Sequence, residues 1–90
     1  MKLLYCPNCK DITRLWVGAR SHCKCGKSSG YYKADGLNAR YEGEAIPIGI
    51  DNSSFAEALR NQPMVAKFGR RFTAFVIPKY ADTIDYENTV

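Results

Sequence analysis

Cys6-Pro7-Asn8-Cys9 and Cys23-Lys24-Cys25-Gly26 decide how this chain is read. The two close cysteine pairs are separated by 13 residues, the arrangement of a four-thiolate metal site. A short turn brings two sulfurs and the neighbouring backbone N–H groups to one side of an ion. A second such turn supplies the other half of a tetrahedron. Gly26 permits a left-handed turn directly after the last cysteine. Lys10, Lys24 and Lys27 stand beside the pairs and offset the negative sulfurs. Zinc is the expected ion, held by Cys6, Cys9, Cys23 and Cys25. With four thiolates the site is structural, because a catalytic zinc keeps a coordination position for water. His22 in place of Cys23 is the alternative fourth ligand. A redox dithiol at Cys6 and Cys9 is a further alternative, but such motifs lead into a helix. Here Ile12-Thr13-Arg14-Leu15-Trp16-Val17 follows, a β-branched and aromatic run that reads as a strand.

These residues resemble the zinc-ribbon family. Residues 6–9 look like its first knuckle. Cys23 and Cys25 resemble the second, with one intervening residue where two are commoner. The resemblance covers about the first 30 residues and implies a small hairpin-based ribbon that docks on larger machines.

Outward from the knuckles, the 90 residues allow one domain with a small core. No run approaches the roughly 18 apolar residues of a membrane-spanning helix, and the N-terminus lacks a secretory apolar stretch. A cytoplasmic location, with reduced cysteines and no membrane partner, is expected. The formal charge of +4 is uneven. Residues 1–33 carry seven Lys and Arg against Asp11 alone, whereas residues 34–90 carry six against eight acids. Four bound thiolates and one zinc lower the total to about +2.

The fold class expected is α+β, mostly β: a ribbon-like hairpin over residues 1–30, a β-meander with one short helix and a final strand over 31–80, and an acidic surface tail over 81–90. Asp35-Gly36 between two strand-like runs signals a hairpin. In the second run, Leu37, Ala39 and Tyr41 share one face. Ile46, Ile48 and Ile50 fall at period two, and Pro47 marks an edge strand or a strand end. Ser54 with Glu57 reads as a capping box, starting a helix at Phe55 with Phe55, Ala58 and Leu59 as its buried stripe. Residues 62–71 read as a loop. Phe72-Thr73-Ala74-Phe75-Val76-Ile77 reads as a well-buried strand.

Two functions compete at this level. The first is a non-enzymatic zinc protein recognising a phosphate-bearing ligand, either nucleic acid or a nucleotide. Lys24, Lys27, Arg70 and Arg71 would meet phosphates, Trp16 or Tyr32 would stack on bases, and Asn52 and Ser53 would offer donors at the helix N-terminus. The ordinary roles of the same residues are capping, solvation and sheet packing, and Trp16 reads first as a core residue. The second is a protein–protein adaptor, using the ribbon, Trp16 or the strand edge near Pro47. A homo-oligomer that completes the core fits either. The single His and the absence of a Walker-type loop give no basis for catalysis.

Overall fold

The computed structural model describes residues 1–65 and 68–87. Eight strands and one helix follow in the order β1 (Lys2–Tyr5), β2 (Ile12–Arg14), β3 (Ser21–His22), β4 (Ser28–Tyr32), β5 (Ala39–Gly43), β6 (Ile46–Ile50), α1 (Asn52–Arg60), β7 (Ala74–Val76) and β8 (Ile84–Glu87). They form two four-stranded sheets, ordered β2-β1-β6-β7 and β3-β4-β5-β8. The class is α+β and mostly β, as expected from the turn and alternation signals. The first sheet is wholly antiparallel, while β8 joins β5 in parallel. A parallel neighbour requires a long crossover, and β6, α1 and β7 supply it.

The sheets meet where Leu4 of β1 lies against Gly30 of β4. A Cβ at Gly30 would stand 2.8 Å from Leu4 Cδ1 and 3.2 Å from Leu15 Cδ2, so the bare backbone there sets how closely the layers approach. Leu4, Leu15, Ala39, Tyr41, Ala45, Ile77 and Ile84 form the buried cluster. The Tyr41 hydroxyl escapes burial without a partner by donating to the Lys79 carbonyl at 2.8 Å.

The Asp-Gly hairpin is present, but its loop has four residues, 34–37, closed by Lys33 N–H donating to the Asn38 carbonyl at 2.8 Å. The Asp35 carboxylate causes the longer loop by accepting from the Leu37 and Asn38 N–H groups. Those bonds hold its carboxyl below the usual carboxylate range. The stabilisation is therefore complete at neutral pH and lost as acid titrates the group through that lowered value. Leu37 sits in this loop and is exposed, while Ala39 and Tyr41 on the strand proper are buried.

Several expectations are corrected. The isoleucine period holds, and the face it marks is the outer one. Pro47 and Gly49 point inward, and Ile46, Ile48 and Ile50 share the other side of the sheet. Pro47 lies in an interior strand, not at an edge. Its carbonyl accepts from Ile77 N–H at 2.9 Å, so its missing donor faces the position just past the end of β7, where only one ladder bond is lost. The helix begins at Asn52, capped by Asp51, whose carboxylate accepts from Ser54 N–H at 2.9 Å. Ser54 is thus inside the helix, and its hydroxyl instead accepts from Thr73 N–H. No residue of α1 is buried. Strand β7 is short and exposed throughout, with Phe75 laid over the bare Gly49 of its neighbour. Residues 84–87, expected in a surface tail, pair with β5, and Ile84 is only 1% exposed. The apolar Ile84 and Tyr86 alternate there with acidic Asp85 and Glu87, so the acidic composition conceals a one-sided strand.

Candidate metal centre

Strands β1 and β2 hold the first knuckle. Cys6 N–H donates to the Asp11 carbonyl at 3.0 Å, closing the hairpin, and Lys10 N–H donates to the Cys6 carbonyl at 2.7 Å. Strands β3 and β4 hold the second in the same manner. Cys23 N–H donates to the Ser28 carbonyl at 3.0 Å, and Gly26 N–H donates to the Cys23 carbonyl at 3.1 Å. In each knuckle the residue after the last cysteine is left-handed: Lys10 at φ 62° and Gly26 at φ 77°. Gly26 accepts this without strain, whereas Lys10 carries a cost of about 1–2 kcal/mol. The Asp11 carboxylate ties the knuckles together by accepting from Lys24 N–H at 3.1 Å.

The turns bring all four sulfurs within 4.8 Å of one another. Cys25 Sγ lies 3.7 Å from Cys6 Sγ and 3.5 Å from Cys23 Sγ. A tetrahedron of thiolates about 2.3 Å from a central ion has sulfur–sulfur edges of about 3.8 Å. The donor set and its spacing fit a tetrahedral thiolate ion. Cys6 and Cys23 are buried, Cys9 is partly buried and Cys25 is exposed. The Ser28 hydroxyl, followed by the Cys9 N–H, pulls the Cys6 thiol down to about 6. The lowered thiol suits a metal ligand, which must give up its proton to bind. His22 lies exposed on β3, opposite Ser29, while Cys23 occupies the cluster.

The remaining candidates do not converge. Lys24 and Lys27 are exposed beside the second knuckle. Asn52 and Ser53 lie at the other end of the first sheet, where the Met1 ammonium donates to Asn52 Oδ1 at 2.7 Å. Strand β1 separates these ends, because Tyr5 leads into the first knuckle and Met1 reaches α1. Arg70 and Arg71 are exposed near α1, in a hollow that also contains Glu57. The positive end of the helix already meets the Asp51 carboxylate. Tyr32 is half-buried, and its hydroxyl accepts from Lys2 N–H at 2.6 Å. Trp16 is 51% exposed rather than in the core, with the Arg14 guanidinium 4.1 Å above its ring. The chain leaves β2 before Trp16 and crosses to the second sheet, where the Trp16 carbonyl accepts from Tyr32 N–H.

Three of the 13 basic side chains are paired on the outer face of the second sheet. Arg20 meets Glu42 and Glu87, Arg40 meets Glu87, and Lys33 meets Asp85, at 2.6–3.2 Å. Sequence reasoning missed Asp11, Ser28 and the apolar outer face of the first sheet. The isoleucine period was the available signal for the last of these. No local pattern marks the other two.

Comparison with protein-family models, curated proteins and solved structures finds no match. Fold and site alone define the class: a small two-sheet, mostly β protein with four cysteines gathered within metal-binding distance. None of its helices among the described residues is long and apolar enough to cross a membrane.

Proposed function

We propose that the chain is a non-enzymatic protein-binding module whose fold is held by structural zinc. Zinc is the ion favoured by an all-thiolate tetrahedral donor set, and four protein ligands leave no position for a substrate or an activated water. The observation that carries the binding role is the outer face of the first sheet. Register aligns Ile12, Tyr5 and Ile46 in one row, and Leu3, Ile48 and Val76 in the next. Side chains opposite one another in register share a face. Ile12 is 59% exposed and Val76 69%. Arg14 extends the second row beside Leu3 and stacks on Trp16. It has no ion pair among the described residues. Contiguous apolar surface of this kind marks interaction sites, and Arg and Trp are frequent anchors in them. The partner fitting this chemistry is a protein offering an apolar patch with a carboxylate for Arg14.

The geometry favours this reading over phosphate recognition. The cations proposed for phosphates stand at opposite ends of a sheet, and the helix N-terminus is filled by Asp51.

The test compares wild type with an Ile12→Lys/Val76→Lys variant, both surface changes. Wild type purified from its own cells is expected to retain a stoichiometric protein. The variant is expected to lose it at a melting temperature within a few degrees of wild type. Two results would count against the reading. One is a polynucleotide or mononucleotide that raises the melting temperature through Lys24 and Lys27. The other is self-association abolished by the same two lysines, which would give the face to a second copy.

A further inference from the structure

Ser28 is 3% exposed, and its hydroxyl is the buried side-chain oxygen without a hydrogen-bond partner among the described residues. An orphaned hydroxyl inside a protein costs about 1–3 kcal/mol, so its position calls for an acceptor. Ser28 opens β4 directly after the second knuckle, and its own carbonyl already closes that knuckle through Cys23 N–H. That bond sets Ser28 beside the cluster, where the Cys23 and Cys6 sulfurs lie within 4.8 Å of one another and Cys6 is the most buried of the four cysteines at 0% exposure. Cys25 is exposed and Cys9 partly so, and water can solvate their thiolates. Cys6 has no such access. A fully buried thiolate in a site of net negative charge is costly unless a donor is directed at it.

We infer that Ser28 is a positioning residue of the metal centre, donating its O–H to the Cys6 sulfur when the ion is bound. The bond satisfies the hydroxyl and withdraws charge from the most buried cysteine of the cluster. This rests on the metal reading above. Partners of this kind, one shell outside the ligands, change metal affinity by 10- to 100-fold when removed.

The experiment measures zinc affinity by competition with a chromophoric chelator, and records the sulfur-to-metal charge-transfer band of the cobalt-loaded protein. Ser28→Ala is expected to weaken zinc binding by about 10-fold or more. It is also expected to move the cobalt band to lower energy, because the freed sulfur is a better electron donor. Ser28→Thr keeps the hydroxyl and is expected to keep both wild-type values. A band and an affinity unchanged in Ser28→Ala would overturn the inference. Should Ser28→Ala not fold, cadmium-loaded wild type decides by NMR. A slowly exchanging Ser28 hydroxyl proton coupled to the metal spin supports the bond, and a freely exchanging, uncoupled one overturns it. A wild-type chain that takes up neither zinc nor cobalt defeats the metal reading itself. Normal uptake with an unaltered Ser28→Ala defeats only this inference.

Discussion

Removing the metal at neutral pH is expected to unfold the chain. Structural zinc contributes an apparent 10–16 kcal/mol in small domains, roughly as much as the 5–15 kcal/mol net stability of an ordinary one. The core here is slight. Among the large side chains of the described residues, only Tyr41, Leu4, Leu15 and Ile84 are fully buried, along with Cys6 itself. Both sheets send a hairpin into the cluster, so losing the ion releases β1–β2 and β3–β4 together and leaves buried thiolates to repel one another. Cys9→Ser removes one ligand and should act like a chelator. Circular dichroism with and without chelator, and on the variant, is expected to show loss of the cooperative melt. An unchanged melting temperature would contradict a structural role.

Gly43→Ala is expected to be the most damaging single change that leaves every ligand in place. Gly43 ends β5 at φ 83°, a conformation costing an L-residue about 1–2 kcal/mol. A Cβ there would also stand 1.8 Å from the Lys27 carbonyl oxygen. That oxygen belongs to the backbone just after the second knuckle and accepts from Glu44 N–H at 3.2 Å. No rotamer can relieve such a clash, so the strand pair or the knuckle must move. Overpacking adds about 1–3 kcal/mol, giving an expected loss of about 3 kcal/mol or more in denaturant unfolding of the metal-loaded protein. Gly18→Ala is the control. Its φ of 82° is equally strained, but nothing lies within 4 Å of the added carbon, so it should cost only about 1–2 kcal/mol. Equal losses at the two positions would show that the contact with Lys27 does not matter.

The parts legible in the sequence are those specified by local chemistry. Cysteine spacing and the glycine after Cys25 foretell the knuckles, because a tetrahedral ion demands two tight turns. Asp35-Gly36 foretells the hairpin because the backbone there needs a special turn. What depends on distant partners was not legible. Period two identifies Ile46, Ile48 and Ile50 as one face but not as the outer one. In the fold the inner face is taken by Pro47 and Gly49, which are buried. Residues 84–87 look like an acidic tail because their ladder partners Ala39 to Glu42 lie over 40 residues earlier. The helix start shifted by three residues because Asp51 and Ser54 both satisfy capping rules, and the contact of Ser54 with Thr73 resolves the competition. The proposed phosphate site drew on residues that one sequence cannot place relative to one another. Strand β1 lies between its two halves.

X-ray absorption at the metal edge of the protein as purified tests the central claim most directly. The account predicts one zinc per chain with a first shell of four sulfurs at about 2.3 Å and no lighter ligand. A shell containing nitrogen or oxygen, or folded protein carrying no stoichiometric metal, would contradict it.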